Sequence, residues 1–123
     1  MHRILVVEDD YGTRRLVSQI LRHQGYEVAE TENGLEAVEM LERDPDYNLI
    51  VTDLRMSYMD GLELLAEVRL RWQHIPVIIL SVHSVPEWRQ TALQQGAIDY
   101  LTKPFSQNEL VSVIASAING MHA

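Results

Sequence analysis

The chain has 123 residues, of which 46% are hydrophobic, and these values predict one globular domain with an ordinary buried core. It contains no cysteine, which excludes disulfides and thiolate metal sites. It also has no apolar stretch long enough to span a membrane, so we expect no membrane segment, no signal peptide and a cytoplasmic location. The net charge of −8 argues against direct nucleic-acid binding by this domain, because neutralising phosphates requires clustered Lys and Arg.

Strand-like and helix-like segments alternate five times along the chain. The first, third and fourth strand-like segments are continuously apolar, which is typical of strands covered on both faces. The segments between them carry apolar residues three and four positions apart, which predicts amphipathic helices. This order predicts a doubly wound α/β domain over residues 1–123, with a parallel sheet and right-handed crossovers. The predicted strands are residues 3–7, 27–30, 49–52, 77–80 and 99–101.

Local signals mark the helix boundaries. Four pairs have the spacing of a capping box, and Gly25 and Gly96 stand where the first and fourth helices should end. In the first two helices, the stripes predicted to face the core begin at Leu16 and Leu35. The four pairs are Asn33 with Glu36, Asp60 with Glu63, Ser84 with Glu87, and Ser106 with Glu109.

The predicted fourth helix, from about residue 86 to residue 95, has few apolar residues. Only Trp88, Ala92 and Leu93 supply apolar surface, and two glutamines follow them. A helix with so narrow a buried stripe is either weakly docked and able to move, or a plain polar surface helix. Both interpretations stay open at this point.

Chemically active side chains fall at the ends of the predicted strands. Glu8 and Asp9 follow the first strand, Asp53 the third, Ser81 the fourth and Lys103 the fifth. Ligands of open parallel sheets gather at the carboxyl ends of the strands, and crowded carboxylates there require a cation. Oxygen ligands with open water positions suit Mg²⁺, beside which an aspartate can attack a phosphoryl group. The lysine and the serine hydroxyl would stabilise charge on the phosphoryl oxygens.

Four motifs in this order resemble the receiver domains of two-component response regulators, the CheY-like superfamily, along essentially the whole chain. They are residues 6–10 (VVEDD), 52–56 with 59–61 (TDLRM and MDG), 76–81 (PVIILS) and 100–105 (YLTKPF). The resemblance implies a flavodoxin-like (βα)5 fold whose five strands have the order 2-1-3-4-5. CheY itself is a standard example of this strand order. The resemblance also implies a cis peptide bond before Pro104.

The same resemblance implies a role for each site residue. Asp53 would accept a phosphoryl group from a phosphohistidine on a sensor histidine kinase or a phosphotransfer protein. Mg²⁺ would be held by Asp9, Asp53 and the backbone carbonyl of Arg55, with Glu8 contributing through water.

The implied output is a switch. Lys103 would pair with the phosphoryl group, Ser81 would move to hydrogen-bond it, and Tyr100 would turn inward behind Ser81. The face formed by the fourth helix, fifth strand and fifth helix would then bind an effector, a partner or a second copy. The domain would catalyse only its own phosphotransfer and autodephosphorylation.

The chain departs from the family pattern at three places. Ser57 stands where receivers usually have Pro, which predicts a looser loop. Val82 replaces a small residue after the switch hydroxyl and is expected to slow reaction with small phosphodonors. Arg55 and His83 occupy the variable positions beside the phosphoryl group, where Arg55 would either shield the phosphate or extend into solvent.

Other functions compete with this interpretation. A metal-dependent phosphatase with an aspartyl nucleophile would carry a second acid where Arg55 stands, and a flavin-binding domain is disfavoured because Glu8, Asp9 and Asp10 would repel a phosphate. A pseudo-receiver that binds partners without phosphorylation also stays open. The chain would be either a complete regulator or an excised receiver. Arg55 with Met56, and residues 94–97 and 99–101, resemble receivers of transcriptional activators.

Overall fold

The fold is known from a computed structural model, which describes residues 2–82 and 86–120. The positions of His83, Ser84 and His122 lie outside the described residues, and with them the capping box predicted at Ser84. None of the described helices has the length and apolar character that a membrane crossing requires.

Five strands and five helices alternate, as predicted. The strands are β1 (Arg3–Val7), β2 (Glu27–Thr31), β3 (Leu49–Asp53), β4 (Val77–Ser81) and β5 (Asp99–Thr102). The helices are α1 (Tyr11–His23), α2 (Gly34–Arg43), α3 (Gly61–Arg71), α4 (Pro86–Gln94) and α5 (Gln107–Ile118).

The strands form one parallel sheet of order β2-β1-β3-β4-β5, which confirms the predicted topology. Four strands extend one residue beyond their predicted ends, because the last residue still pairs with a neighbouring strand. Asp53 pairs with Leu80, and Ser81 pairs with Thr102. Asp53 and Ser81 are therefore parts of the sheet and are held by its hydrogen bonds.

Side chains of the central strands alternate between two hydrophobic clusters, one on each face of the sheet. Leu5 and Val7 pack with α2, α3 and α4, whereas Ile4 and Val6 pack with α1 and α5. Helices on both faces explain why these strands are continuously apolar.

The helix ends show where local prediction was correct and where it was incomplete. Complete capping boxes start α3 at Asp60 and α5 at Ser106. At Asn33 only half of the box forms, since Glu36 accepts a hydrogen bond from the backbone N–H of Glu32 instead. Gly25 and Gly96 adopt positive φ angles just after α1 and α4, as helix-terminating glycines do.

The predicted core stripes of α1 and α2 were wrong at their first residues. Leu16 is 57% exposed and Leu35 is 48% exposed. In α1, the buried face instead begins with Arg14 and continues with Val17 and Leu21. The helix therefore buries the charged Arg14 and leaves Leu16, which the sequence predicted to be buried, exposed.

Candidate functional site

Three carboxylates converge at the carboxyl ends of β1 and β3. Glu8 and Asp9 directly follow β1, Asp53 ends β3, and β1 and β3 are hydrogen-bonded neighbours. One oxygen from each of the three carboxylates lies within 4.8 Å of the other two. The sheet order therefore brings together acids that are far apart in the sequence.

Lys103, which follows β5, bridges two of these acids. Its Nζ lies 2.7 Å from Glu8 Oε1 and 3.1 Å from Asp53 Oδ1. The side chains of Glu8 and Asp53 are only 5% and 13% exposed, so water screens these pairs weakly. The peptide bond that links Lys103 to Pro104 is cis, as the resemblance implies.

Burial and charge pairing act against each other in this cluster. Burial raises the pKa of Glu8 from 4.5 to about 7, with a further upward contribution from the charge of Asp53, while the hydrogen bond from Lys103 opposes the shift. Burial alone would lower the pKa of Lys103, but the two carboxylates outweigh it and raise that pKa. The lysine therefore stays charged, and the site has an excess of negative charge that a second cation would relieve.

The donor set of the cluster fits a hard divalent cation. Asp9 is exposed, and it lines an open cleft of about 320 Å³ together with Arg55, Met56, Ser57 and Asp60. Several carboxylate oxygens with water access on one side suit Mg²⁺, which usually keeps part of its hydration shell. The cluster could hold such an ion.

Close packing of the backbone holds Asp53 in place. The backbone N–H of Leu54 donates to Leu80 O at 3.1 Å, and that of Gly61 donates to Leu54 O at 2.8 Å. A Cβ atom added at Gly61 would overlap the carbonyl oxygen of Asp53. Only glycine allows the start of α3 to lie this close to β3, and the contact restricts the peptide groups around Asp53.

Ser81 and Tyr100 occupy the adjacent strands β4 and β5. Ser81 is 1% exposed at the end of β4, and Tyr100 is 2% exposed within the hydrophobic cluster that also contains Ala92 of α4. Val82 follows Ser81 and is 67% exposed, so its branched side chain reaches the surface there. Its predicted effect on small phosphodonors stays a prediction.

Comparison with protein families gives a match to the response regulator receiver domain over residues 4–115. The chain belongs to this family. Among curated proteins, it is 38% identical over 115 residues to the transcriptional regulatory protein ZraR of Klebsiella oxytoca, and 39% identical over 117 residues to the DNA-binding transcriptional regulator NtrC of Escherichia coli K12. Each match covers 94% of this chain but only 26% of ZraR and 24% of NtrC, so this receiver spans about a quarter of the length of these relatives.

Solved structures agree with the assignment. The receiver domain of Francisella response regulator 1452 superposes with a TM-score of 0.90 at 32% identity, covering 98% of this chain and 99% of that one. The chemotaxis response regulator CheY4 of Vibrio cholerae gives a TM-score of 0.88 at 29% identity, covering 95% and 98%. The receiver interpretation is confirmed over the phosphatase and flavin-binding alternatives.

The receiver loop between β3 and α3 contains a strained residue that the sequence did not reveal. Tyr58 has a φ angle of +68°, although it is not glycine, and it is 84% exposed. A left-handed conformation costs a bulky residue roughly 1–2 kcal/mol. Tyr58 follows Ser57, the position where receivers usually have Pro, so this loop departs from the family in sequence and has an uncommon backbone conformation.

Arg55 and Asp10 have contacts that strand-end reasoning did not predict. The guanidinium carbon of Arg55 lies 5.3 Å from the ring centre of Trp88 on α4. Asp10 accepts hydrogen bonds from the backbone N–H and the hydroxyl of Thr13, so it caps α1. These bonds also lower the pKa of Asp10.

Arg14 is the site-adjacent residue that sequence reasoning missed. It is buried, and its Nη1 donates a 2.8 Å hydrogen bond to the carbonyl oxygen of Glu8. The available signal was its spacing, because Arg14 lies three and seven residues before Val17 and Leu21, on the same helix face.

Proposed function

We propose that Asp53 accepts a phosphoryl group from a phosphohistidine of a sensor histidine kinase or a phosphotransfer protein. The single observation that carries this proposal is the pairing of Lys103 with Asp53 at 3.1 Å, beside two further carboxylates. A cation already placed against an aspartate at a strand end can neutralise phosphoryl charge without rearranging the sheet.

The chemistry is a phosphoryl transfer between two protein side chains. A carboxylate oxygen of Asp53 forms the new O–P bond, and the N–P bond of the phosphohistidine breaks, with its electron pair returning to the imidazole. Lys103 pairs with the phosphoryl oxygens, and the Ser81 hydroxyl donates to one of them.

Mg²⁺ would be held by Asp9, Asp53 and the backbone carbonyl of Arg55, with Glu8 acting through a bound water. The bound ion would supply neutralisation of the charge that accumulates on the phosphoryl oxygens. In this arrangement the receiver acts on itself, and its catalysis is limited to its own phosphotransfer and autodephosphorylation.

The output would pass through α4, β5 and α5. The phosphoryl group adds up to about two negative charges. Ser81 moves toward this charge, Tyr100 occupies the space behind it, and the surface of α4, β5 and α5 changes. An effector, or a second copy of the chain, would recognise the changed surface. The relatives ZraR and NtrC favour an effector that regulates transcription. Residues 1–123 would serve as one phosphoacceptor domain.

The intact mass of the chain after incubation with Mg²⁺ and a phosphodonor tests this function. We expect one added phosphoryl group in the wild type, none in Asp53→Asn, and normal addition in Asp46→Asn, whose side chain is 90% exposed. Acetyl phosphate and a phosphorylated histidine kinase are used as separate donors. Addition from either donor supports the proposal, whereas no addition from both would leave the chain a pseudo-receiver.

A further inference from the structure

Arg14 connects the turn after β1 to the edge strand β2. Besides its bond to Glu8 O, its guanidinium lies 3.6 Å from a carboxylate oxygen of Glu30 and 3.8 Å from one of Glu32. Its side chain is only 10% exposed. Burying a guanidinium costs free energy unless its hydrogen bonds are satisfied, so the burial of Arg14 next to the acidic cluster calls for an explanation.

Neutralising Glu30 does not explain the burial of Arg14. Arg15 and Arg22 contact the same carboxylate more closely, at 2.6 Å and 3.0 Å, from more exposed positions on α1. Arg14 differs from these two arginines in its contact with Glu32, in its place over the Tyr11 ring at 5.4 Å, and in its bond to the Glu8 carbonyl, which alone of these contacts reaches the acidic cluster. The planar guanidinium can bond that carbonyl and also pair with Glu30 and Glu32, whereas a single ammonium cannot cover the same spread of acceptors.

We propose that Arg14 is a positioning residue for the metal site. By holding the carbonyl of Glu8, it sets the peptide that joins Glu8 to Asp9 and so fixes how these two carboxylates face Asp53. This inference rests on the proposed function, because it assigns Arg14 a role in presenting the Mg²⁺ ligands. Mutation of groups that orient metal ligands typically lowers metal affinity or activity by about 10–100-fold.

Calorimetric titration with Mg²⁺ alone tests the role of Arg14 without any phosphodonor. We expect Arg14→Met to weaken Mg²⁺ binding by about tenfold or more. Arg15→Met is the matched control, since it loses a contact with Glu30 but none with Glu8, and its affinity should stay within about twofold of the wild type. Unchanged affinity in folded Arg14→Met would overturn the inference.

A general loss of stability must be separated from a loss of positioning. Val17→Ala removes buried surface from the same face of α1 without touching Glu8, so it should lower the unfolding midpoint and leave the Mg²⁺ affinity unchanged. If Arg14→Met does not fold in buffer, it and the wild type are both titrated in sucrose, which favours the folded state, and an affinity equal to wild type overturns the inference. Absence of Mg²⁺ binding by the wild type would contradict the proposed function itself.

A different observation carries a second inference. Arg55 stands two residues after Asp53 and lines the cleft beside Asp9, yet its guanidinium lies over Trp88 of α4. Of the residues of α4, Ala92 alone is fully buried. The contact thus joins the phosphoacceptor loop to a helix that the core holds weakly.

We infer that Arg55 is shared between Trp88 and the phosphoryl group, and that phosphorylation releases α4 by withdrawing the guanidinium from the ring. An exposed cation–π contact is weak, whereas a phosphoryl dianion attracts a guanidinium strongly and in a fitting geometry. This inference also rests on the proposed function. It adds a coupling path to α4 that does not pass through Ser81 and Tyr100.

Trp88 emission reports on this path in a Trp72→Phe background, which leaves Trp88 as the single tryptophan. Beryllofluoride with Mg²⁺ serves as the phosphoryl mimic, and fluorine NMR measures its binding independently. We expect binding to change the emission in the background protein. Arg55→Met should bind the mimic more weakly, because it lacks the guanidinium that pairs with the phosphoryl group, and at the saturation that fluorine NMR establishes it should show a clearly smaller emission change. An equal change in Arg55→Met overturns the coupling, whereas no binding by the wild type contradicts the proposed function.

Discussion

Helices α3 and α4 border the same site but are held very differently. The former begins with a complete capping box and buries Gly61, Leu64, Leu65 and Val68, whereas the latter buries only Ala92 among its residues. The well-packed α3 lies against the main chain of Asp53, the aspartate that the proposed phosphotransfer requires to be aligned. The weakly docked α4 lies where the proposed switch requires movement, in keeping with the general link between shallow packing and mobility.

Leucine-to-alanine substitutions in α3 and α4 should show the largest difference in stability between the two helices. Leu64→Ala on α3 should lower the free energy of unfolding by about 2–5 kcal/mol, because it leaves a cavity in the core. Leu93 on α4 is 38% exposed, and Leu93→Ala should cost less than about 1 kcal/mol. Urea denaturation of both variants measures the two values, and equal losses would mean that α4 is docked as firmly as α3.

The pH dependence of stability tests how strongly the burial of Glu8, beside the firmly packed part of the site, disfavours its charged form. The pKa of Glu8 is about 7 in the folded protein and 4.5 ordinarily, so the folded state holds a proton that the unfolded chain has released. Stability should therefore fall as pH rises from 4.5 to 7, by roughly 1–3 kcal/mol for this group.

Urea denaturation in the presence of a chelator, at several pH values, checks this expectation against Glu8→Gln. The amide cannot titrate, so the variant should lack that part of the fall. A wild type and a Glu8→Gln variant with parallel pH profiles would show that Glu8 titrates normally in the folded protein.

Alanine substitutions at Gly61 and Gly12 should have opposite effects on stability, because only Gly61 lies where α3 closely approaches β3. Gly61→Ala should destabilise the protein by about 1–3 kcal/mol, because its Cβ would overlap the main chain of Asp53. Gly12 lies within α1, where an added Cβ meets only Asp10 at an ordinary 3.6 Å, so Gly12→Ala should stabilise by roughly 0.5–1 kcal/mol. Thermal denaturation compares the two, and a neutral Gly61→Ala would mean that the loop yields easily.

The smallest expected effect concerns Tyr58, in the loop between β3 and α3. Tyr58→Gly should raise the free energy of unfolding by up to about 1 kcal/mol, since glycine adopts the positive φ angle without strain and little buried surface is lost. Tyr58→Ala, which keeps a Cβ, is the control and should gain less. Chemical denaturation separates them, and a loss of stability in Tyr58→Gly would indicate that the tyrosine ring stabilises the loop.

Local sequence patterns were sufficient for the order of the elements and for most boundaries. Apolar runs identified β1, β3 and β4, the alternation of strand-like and helix-like segments added β2 and β5, and capping residues located the starts of α3 and α5. Errors arose where tertiary contacts overruled the pattern. Leu16 is exposed because α1 turns Arg14 toward the sheet, and the end residues of β3 and β4 join the sheet because neighbouring strands pair with them.

The sequence by itself determined which residues could carry the chemistry, since carboxylates, a lysine and a hydroxyl at the ends of apolar strands are the groups that metal-assisted phosphoryl transfer requires. Only the tertiary structure decided how they meet. Lys103 contacts Glu8 across 95 positions of sequence, Arg14 bonds the Glu8 carbonyl, and Arg55 lies over Trp88. These contacts depend on strand order and loop geometry, which arise from packing the whole sheet and which no local periodicity encodes.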